Sequence, residues 1–359
     1  MARTRPQHGS EFPAGATSFL ALNFRINPVP LLNPLLLSAI IAIASVLAVG
    51  AIARRQGILT GEADASLMKL VINVLFPCFI FSKVTGNKTL MDWHSAIIIP
   101  AIGFAVLAIS FGLCWLAASK LCPLPEFRDP RKRRTFTVST GLQNYGYMAI
   151  PLIDSLFPNS SMIGVLHVHN VGVEIALWTL GVMIFAGGLK GEWWRKVLNP
   201  PTLAVLGSIG LNLSGLHKYL PDCCLRTTEI IGQAAMPMGI LLVGATIYDY
   251  LPKESGGLTK MLRQALPLVL LANVMRCLVL PGVILLIAVT LPGISLELRQ
   301  VLVIQAAMPA AFLPIVMAKH YDGDAETALR ITLSSLFLGL VSIGFWVSLG
   351  MHLLEKAKG

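Results

Sequence analysis

Apolar residues in this chain do not alternate with polar ones; they run in long uncharged blocks. Blocks near the ~20 residues a helix needs to cross a bilayer occur ten times, at about 33–53, 65–82, 93–119, 135–156, 162–189, 202–217, 228–250, 261–290, 300–319 and 327–353. This pattern predicts an all-α polytopic membrane protein. Segments two, four, six and nine are short or interrupted, and two of the interruptions carry most of the information. Segment four contains GLQNYGYMAIPL and segment nine contains IQAAMPAAFLP. A proline inside a bilayer helix frees a carbonyl that lipid cannot satisfy, so opened backbone is tolerated only where protein or a water-filled cavity covers it. Paired breaks in corresponding places of two halves point to a carrier's substrate site.

The halves echo each other in order. Asn33-Pro34 opens segment one and Asn199-Pro200-Pro201 opens segment six; FPCFIF around Pro77 is matched in position by MPMGIL around Pro237; Pro151 is matched by Pro309 and Pro314. Five helices per half is an odd number, so a second copy enters the bilayer from the opposite side, which makes the repeat inverted. The chain therefore divides into a polar tail at 1–32, a first five-helix repeat at 33–189, a short connector at 190–201, a second repeat at 202–353 and a tail at 354–359. Phe19 to Leu22 is far too short for the apolar core of a secretory signal.

Composition agrees with this reading. Of 359 residues, 55% are hydrophobic and 13% charged, which excludes an ordinary soluble globule. The net charge of +10 reports topology rather than nucleic-acid binding. Lys and Arg concentrate in the odd connectors: Arg54, Arg55; Lys120, Arg128, Arg131, Lys132, Arg133, Arg134; Lys190, Arg195, Lys196; Lys253, Lys260, Arg263; Lys319, Arg330. The even connectors hold Lys83, Lys88, Lys218, Arg226 and Arg299. The positive-inside rule thus places odd connectors in the cytoplasm and both termini outside, in a plasma or inner membrane. Cys78, Cys114, Cys122, Cys223, Cys224 and Cys277 lack metal-ligand spacing and read as packing residues.

In the first break Gln143 and Asn144 supply amides, Gly141 and Gly146 permit unusual backbone angles, and Pro151 interrupts hydrogen bonding. Gln305, Pro309 and Pro314 repeat the design in the second. Half-helix N-termini present free N–H groups and partial positive charge, so the natural ligand is an anion, above all a carboxylate. Ionisable groups inside apolar segments are few: Lys69, His167, His169, Glu174 and Arg276, with Asp154 and Glu229 near ends. His167, Asn170 and Glu174 share one helical face at i, i+3 and i+7. They form either a proton path or a packed structural set. Arg276 needs a partner at depth, and Glu174 is one hypothesis. No Walker loop, dinucleotide fingerprint, HExxH or GxSxG occurs, so neither an enzyme nor a primary pump is indicated.

These residues resemble the auxin efflux carrier family, which includes plant auxin exporters and bacterial carriers of malate, malonate and similar acids. The resemblance spans nearly the whole chain: GAIARRQGIL, KLVINVLFPCFIFSKV, NYGYMAIPL, NPP, MPMGILLVGA, RCLVLP and IQAAMPAAFLPIVMAKHY, in order. It implies ten helices in two inverted repeats with helices four and nine crossing at their breaks, a fold similar to bile-acid symporters and sodium/proton antiporters. It further implies that Asn144, Pro151 and Pro309 are substrate-site elements, Asn144 donating to the substrate carboxylate, and that Arg276 is the family's R-x-L-x-x-P arginine. Plant members carry a lysine four residues before the second-helix proline. Here that position is Asn73, and Lys69 matches the earlier basic position, a departure that argues against auxin itself. The short connector between helices five and six likewise fits a small organic-acid carrier.

The sequence thus predicts a secondary carrier of small organic anions, carboxylates above all, moving its substrate by alternating access and exporting it. The substrate-site candidates are Asn144, Gln143, Gly146, Pro151, Gln305, Pro309 and Pro314. Polar or coupling candidates are Asn73, Lys69, His167, Asn170, Glu174 and Arg276. The expected partners are a small carboxylate and the lipid bilayer, with a homodimer allowed, and neither metal, cofactor nor nucleic acid. The alternatives are a sodium- or proton-coupled symporter and, from another class, a non-transporting receptor or scaffold.

Overall fold

The computed structural model describes residues 34–86, 93–122, 124–146, 148–157, 162–188, 198–250, 263 and 265–357. The tail at 1–32, most of the 190–201 connector, Lys253 and Lys260 lie outside the described residues. The helices, in chain order, are α1 Pro34–Arg55, α2 Gly61–Val84, α3 Trp93–Leu116 with a π-turn at Ala117–Leu121, α4 Pro130–Gly141, α5 Ala149–Leu156 and α6 Met162–Phe185. The second half continues with α7 Pro200–Leu213, α8 Asp222–Tyr250, α9 Leu266–Thr290, α10 Leu296–Ala307, α11 Leu313–His320 and α12 Ala325–Lys356. No named strand occurs among the described residues. Six helices among the described residues, α2, α3, α6, α8, α9 and α12, are long and apolar enough to cross a membrane; the protein is an integral, multi-pass membrane protein.

Helix starts follow capping chemistry. Thr60, Asp129, Asn199, Ser295 and Asp324 each accept from a first-turn backbone N–H with their side-chain oxygen, satisfying donors that a helix start otherwise orphans. Pro77 and Pro281 do not break their helices. In each case a π-turn, Val71–Leu75 or Met275–Val279, lies just upstream, and the wider turn absorbs the missing hydrogen bond.

The helices pack as two groups. In one, α1 lies along the second half of α8, while α2 packs on α7 and on the first half of α8. In the other, α3 lies along α6, α9 packs on α10, and α12 runs against α4, α10 and α11. Small residues bring partners into backbone contact, as membrane helices require. A Cβ added at Gly172 would sit 1.8 Å from the Pro100 carbonyl oxygen, and one at Gly244 would sit 2.1 Å from that of Leu47. The half-helix α5 touches α1, and α11 touches α8, so both broken helices lie at the boundary between the groups.

Connectors sort onto two ends of the bundle. Arg54, in the last turn of α1, pairs with Asp64 at 2.5 Å and with Asp249 at the end of α8 at 3.2 Å. Lys319, at the end of α11, reaches Asp64 at 3.1 Å. Arg131, in the first turn of α4, pairs with Asp322 after α11 at 2.8 Å. At the other end, Asn212 of α7 donates to the Val84 carbonyl and accepts from the Gly86 N–H, both at 2.8 Å. The odd connectors named here therefore share one face and the even ones the opposite face.

Segment four differs in detail from its sequence reading. Pro151 does not sit in the interruption; the helix ends at Gly141, and Pro151 falls in the first turn of α5, where a missing N–H costs no intrahelical bond. Pro309 does lie in the second interruption, between Ala307 and Leu313, with Pro314 in the first turn of α11.

Candidate functional site

The interruptions meet. The Asn144 N–H donates to the Pro309 carbonyl at 2.8 Å and the Ala311 N–H donates to that of Leu142 at 3.0 Å, an antiparallel bridge centred on Gln143 and Ala310. Each break thereby satisfies part of the backbone that the other exposes, as apolar surroundings demand. Neighbouring helices complete the accounting. On the second break, α12 supplies Ser335 Oγ, which accepts from the Ala310 N–H at 3.1 Å, and Thr332 Oγ1, which donates to the Ala311 carbonyl at 3.0 Å. On the first, the Tyr145 carbonyl accepts from Asn170 Nδ2 at 3.1 Å and from Gln305 Nε2 at 3.3 Å. Gln305 also donates to Asn170 Oδ1 at 3.0 Å, so two of the sequence candidates from different halves are in contact.

Side chains at the crossing are less well served than its backbone. Gln143 is fully buried, and among the described residues neither its amide nitrogen nor its amide oxygen has a hydrogen-bond partner. Asn144 Nδ2 and Gln305 Oε1 are likewise buried and unpartnered. Such groups are rare in proteins, since each forgoes about 1–3 kcal/mol of solvation, and their concentration in the first break and the adjoining last turn of α10 marks the place where a polar ligand or water is wanted.

Three cavities lie beside this point, between the two helix groups, and Met236 of α8 lines each of them. One, of about 400 Å³, is walled by Phe79, Ile80, Lys83 and Val84 of α2 and Met236 of α8, facing Tyr145, Gly146, Ile150, His167, Asn170, Val171 and Glu174. It reaches the exposed Lys83 at the even-connector end. Two smaller cavities of about 30 Å³ each lie between the same groups. One is bounded by Phe76, Met236, Asn144, Tyr145, Gly146 and residues 311–313. The other is bounded by Phe76, residues of α8, Phe312, Leu313 and Val316. Asn144 thus faces a narrow space, while Gly146 lines both a wide and a narrow one.

The shared face of His167, Asn170 and Glu174 forms one wall of the wide cavity. Glu174 is not the partner of Arg276. Its Oε1 accepts from the Tyr145 hydroxyl and its Oε2 from Trp178 Nε1, both at 2.6 Å. Arg276 instead points its guanidinium at two backbone carbonyls, those of Gly141 at 3.4 Å and Ala306 at 3.2 Å. The pairing expected from sequence fails because both groups find nearer donors and acceptors at the crossing. Lys69 and Asn73 are exposed on α2 and line none of these cavities.

The structure adds Tyr145, Trp178, Lys83, Met236, Thr332 and Ser335 to the sequence candidates. Thr332, Ser335 and Gly339 recur at i, i+3 and i+7 on an apolar helix, a spacing that was visible in the sequence. A Cβ at Gly339 would come within 2.8 Å of Pro309, so that face of α12 is shaped to the break.

Comparison with known proteins places this arrangement. A family profile described as membrane transport protein matches residues 35–192 and 188–347. The chain is similar to an uncharacterized transporter of Methanothermobacter thermautotrophicus, with 25% identity over 311 residues covering 86% of this chain and 96% of the relative. It is also similar to an uncharacterized transporter of Methanocaldococcus jannaschii, with 22% identity over 307 residues covering 83% of this chain and 93% of the relative.

Proposed function

The chain belongs to the membrane transport protein family, that of the auxin efflux carriers, and is a transporter rather than an enzyme; from that premise we propose that it exports small organic anions by alternating access. The carrying observation is the crossing itself, where Asn144 and Pro309 join two breaks amid buried amides without partners. Half-helix N-termini at α5 and α11 aim positive dipole ends toward that point, which suits a carboxylate. Asn144 Nδ2 donates to it, with Gln143, Gln305 and Gly146 beside it. The antiparallel pairing of the breaks supports two inverted five-helix repeats.

In this reading the group of α1, α2, α7 and α8 is the scaffold and the group holding the crossing moves against it. The positively charged odd connectors face the cytoplasm. The wide cavity then opens outward, and the Arg54, Asp64, Asp249 and Lys319 cluster closes the cytoplasmic end. A unit negative charge leaving through 100 mV gains about 2.3 kcal/mol, enough for a gradient of roughly fiftyfold without any coupling ion.

A proton-coupled reading is favoured by one observation, the Glu174 carboxylate in the wall of the cavity. Reconstituted vesicles loaded with mono- and dicarboxylates separate the two. Export driven by membrane potential alone is expected. Movement only with a pH gradient establishes the second reading, and no movement of any carboxylate rejects the carrier function.

A further inference from the structure

The wide cavity carries a polar feature that the crossing does not explain. Its wall includes Lys83 of α2 and His167 of α6. Lys83 is exposed and His167 half-buried, and the ammonium lies close enough to the imidazole to act on it through space. No carboxylate pairs with either among the described residues. Glu174 shares the wall, but its two oxygens are taken by the Tyr145 hydroxyl and by Trp178 Nε1. It also stands seven residues along α6 from His167, about 10 Å at the helical rise of ~1.5 Å per residue. Two basic groups that converge with no acid between them gain from an anion placed there.

Other cations of the even-connector end are placed differently. Lys218 and Arg226 are exposed and line none of the cavities. Arg299 donates to the carbonyls of Ala288, Val289 and Leu291 and so caps the end of α9. Among the described residues, Lys83 is therefore the even-connector cation that a solute in the wide cavity meets. The place is also distinct from the crossing. Phe76 borders the narrow cavity that Asn144 lines, and Lys83 follows it by seven residues on the same helix, again about 10 Å. A single carboxylate cannot touch both.

We propose that Lys83 and His167 form a second carboxylate site at the even-connector mouth of the wide cavity, with the apolar body of the acid lying against Phe79, Ile80, Val171 and Met236. The ammonium supplies a charge-assisted hydrogen bond, and the imidazole has an N–H to donate in either tautomer. The inference deepens the carrier reading and rests on it for its transport arm: an acid released from the crossing is received at the mouth before it enters water.

The test uses full-length protein in detergent, with butyrate as the probe and butyramide as its uncharged counterpart. Asn144→Ala, which removes the amide at the crossing, is expected to go on binding butyrate. Asn144→Ala with Lys83→Gln is expected to bind it tenfold or more weakly, the equivalent of one charge-assisted contact, and Asn144→Ala with Lys83→Arg to retain it. Loss of all butyrate binding in Asn144→Ala overturns the proposal, as does equal binding by the Gln double variant or binding of butyramide as tight as that of butyrate. Stabilisation by phosphatidylglycerol with none by butyrate makes the ligand a lipid headgroup and likewise overturns it. In reconstituted vesicles, Lys83→Gln is expected to raise the half-saturating butyrate concentration tenfold or more on the even-connector side only; an equal rise on both sides refutes a site at the mouth. If the wild type moves no carboxylate, the carrier reading fails while the binding arm still decides the role of Lys83.

Discussion

Asn144 and Pro309 lie 165 positions apart in sequence and are joined by one backbone hydrogen bond of 2.8 Å. The bond uses the N–H of a residue whose side-chain nitrogen has no partner. In the proposed carrier, structure and ligand recognition are divided within one residue, the main chain holding the crossing and the amide remaining available. Asn144→Ala keeps the backbone donor and removes the side chain. We expect the variant to insert and melt as wild type while its apparent carboxylate affinity falls tenfold or more, the loss of one charge-assisted hydrogen bond of about 1.5–3 kcal/mol. Concentration-dependent uptake into vesicles measures this, and unchanged affinity would exclude Asn144 as a ligand.

Gly172 meets the Pro100 carbonyl with no room for a methyl group. Gly172→Ala forces α6 away from α3, an overpacking that costs about 1–3 kcal/mol and shifts the wall carrying Asn170 and Glu174. A lowered melting temperature is expected, together with reduced transport. Gly112, which faces open space, serves as the control: its Ala variant should melt as wild type.

Asp64 and Lys319 connect the two helix groups at the odd-connector end. Their removal has unequal effects. Asp64→Ala strands the buried Arg54, which keeps only the Leu59 carbonyl and the longer Asp249 contact, and should cost about 3 kcal/mol or more. Lys319→Ala leaves the Arg54–Asp64 pair intact and should change stability little. It frees α11 from α2, however, so labelling of a Val316→Cys reporter by a bulky thiol reagent, with the six native cysteines replaced, should quicken. Equal melting of the two variants would contradict the geometry.

Glu174 accepts from Tyr145 and Trp178 on separate oxygens. In Glu174→Gln the amide nitrogen must face one of those donors, leaving a buried N–H or O–H unsatisfied at about 1–3 kcal/mol. Denaturation of the solubilised protein should show that loss. Tyr145→Phe should relieve part of it in the double variant, a coupling that independent sites would lack.

Helical class and the position of both breaks were legible in the sequence, because apolar run length and proline chemistry are local properties. Gln143, Asn144 and Gln305 could be singled out for the same reason: amides next to glycine or proline within apolar sequence stand out by themselves. Partners were another matter. That Arg276 faces two carbonyls, and Glu174 faces Tyr145 and Trp178, depends on how helices distant in sequence are rotated, which spacing within one helix does not encode. Arg54 shows the limit well. Its sequence context supports only a topological role, whereas its buried pairing with Asp64 also needs the α1–α2 turn and the end of α8.

Met236 borders all three spaces around the crossing. In the proposed carrier, a solute passing from the broad chamber toward the tight ones would press against this thioether. An unbranched chain with three rotatable bonds yields to many shapes at little cost, so in the proposed carrier this wall is pliable, and discrimination among cargoes would fall to the charged end of the molecule rather than to the contour of its body.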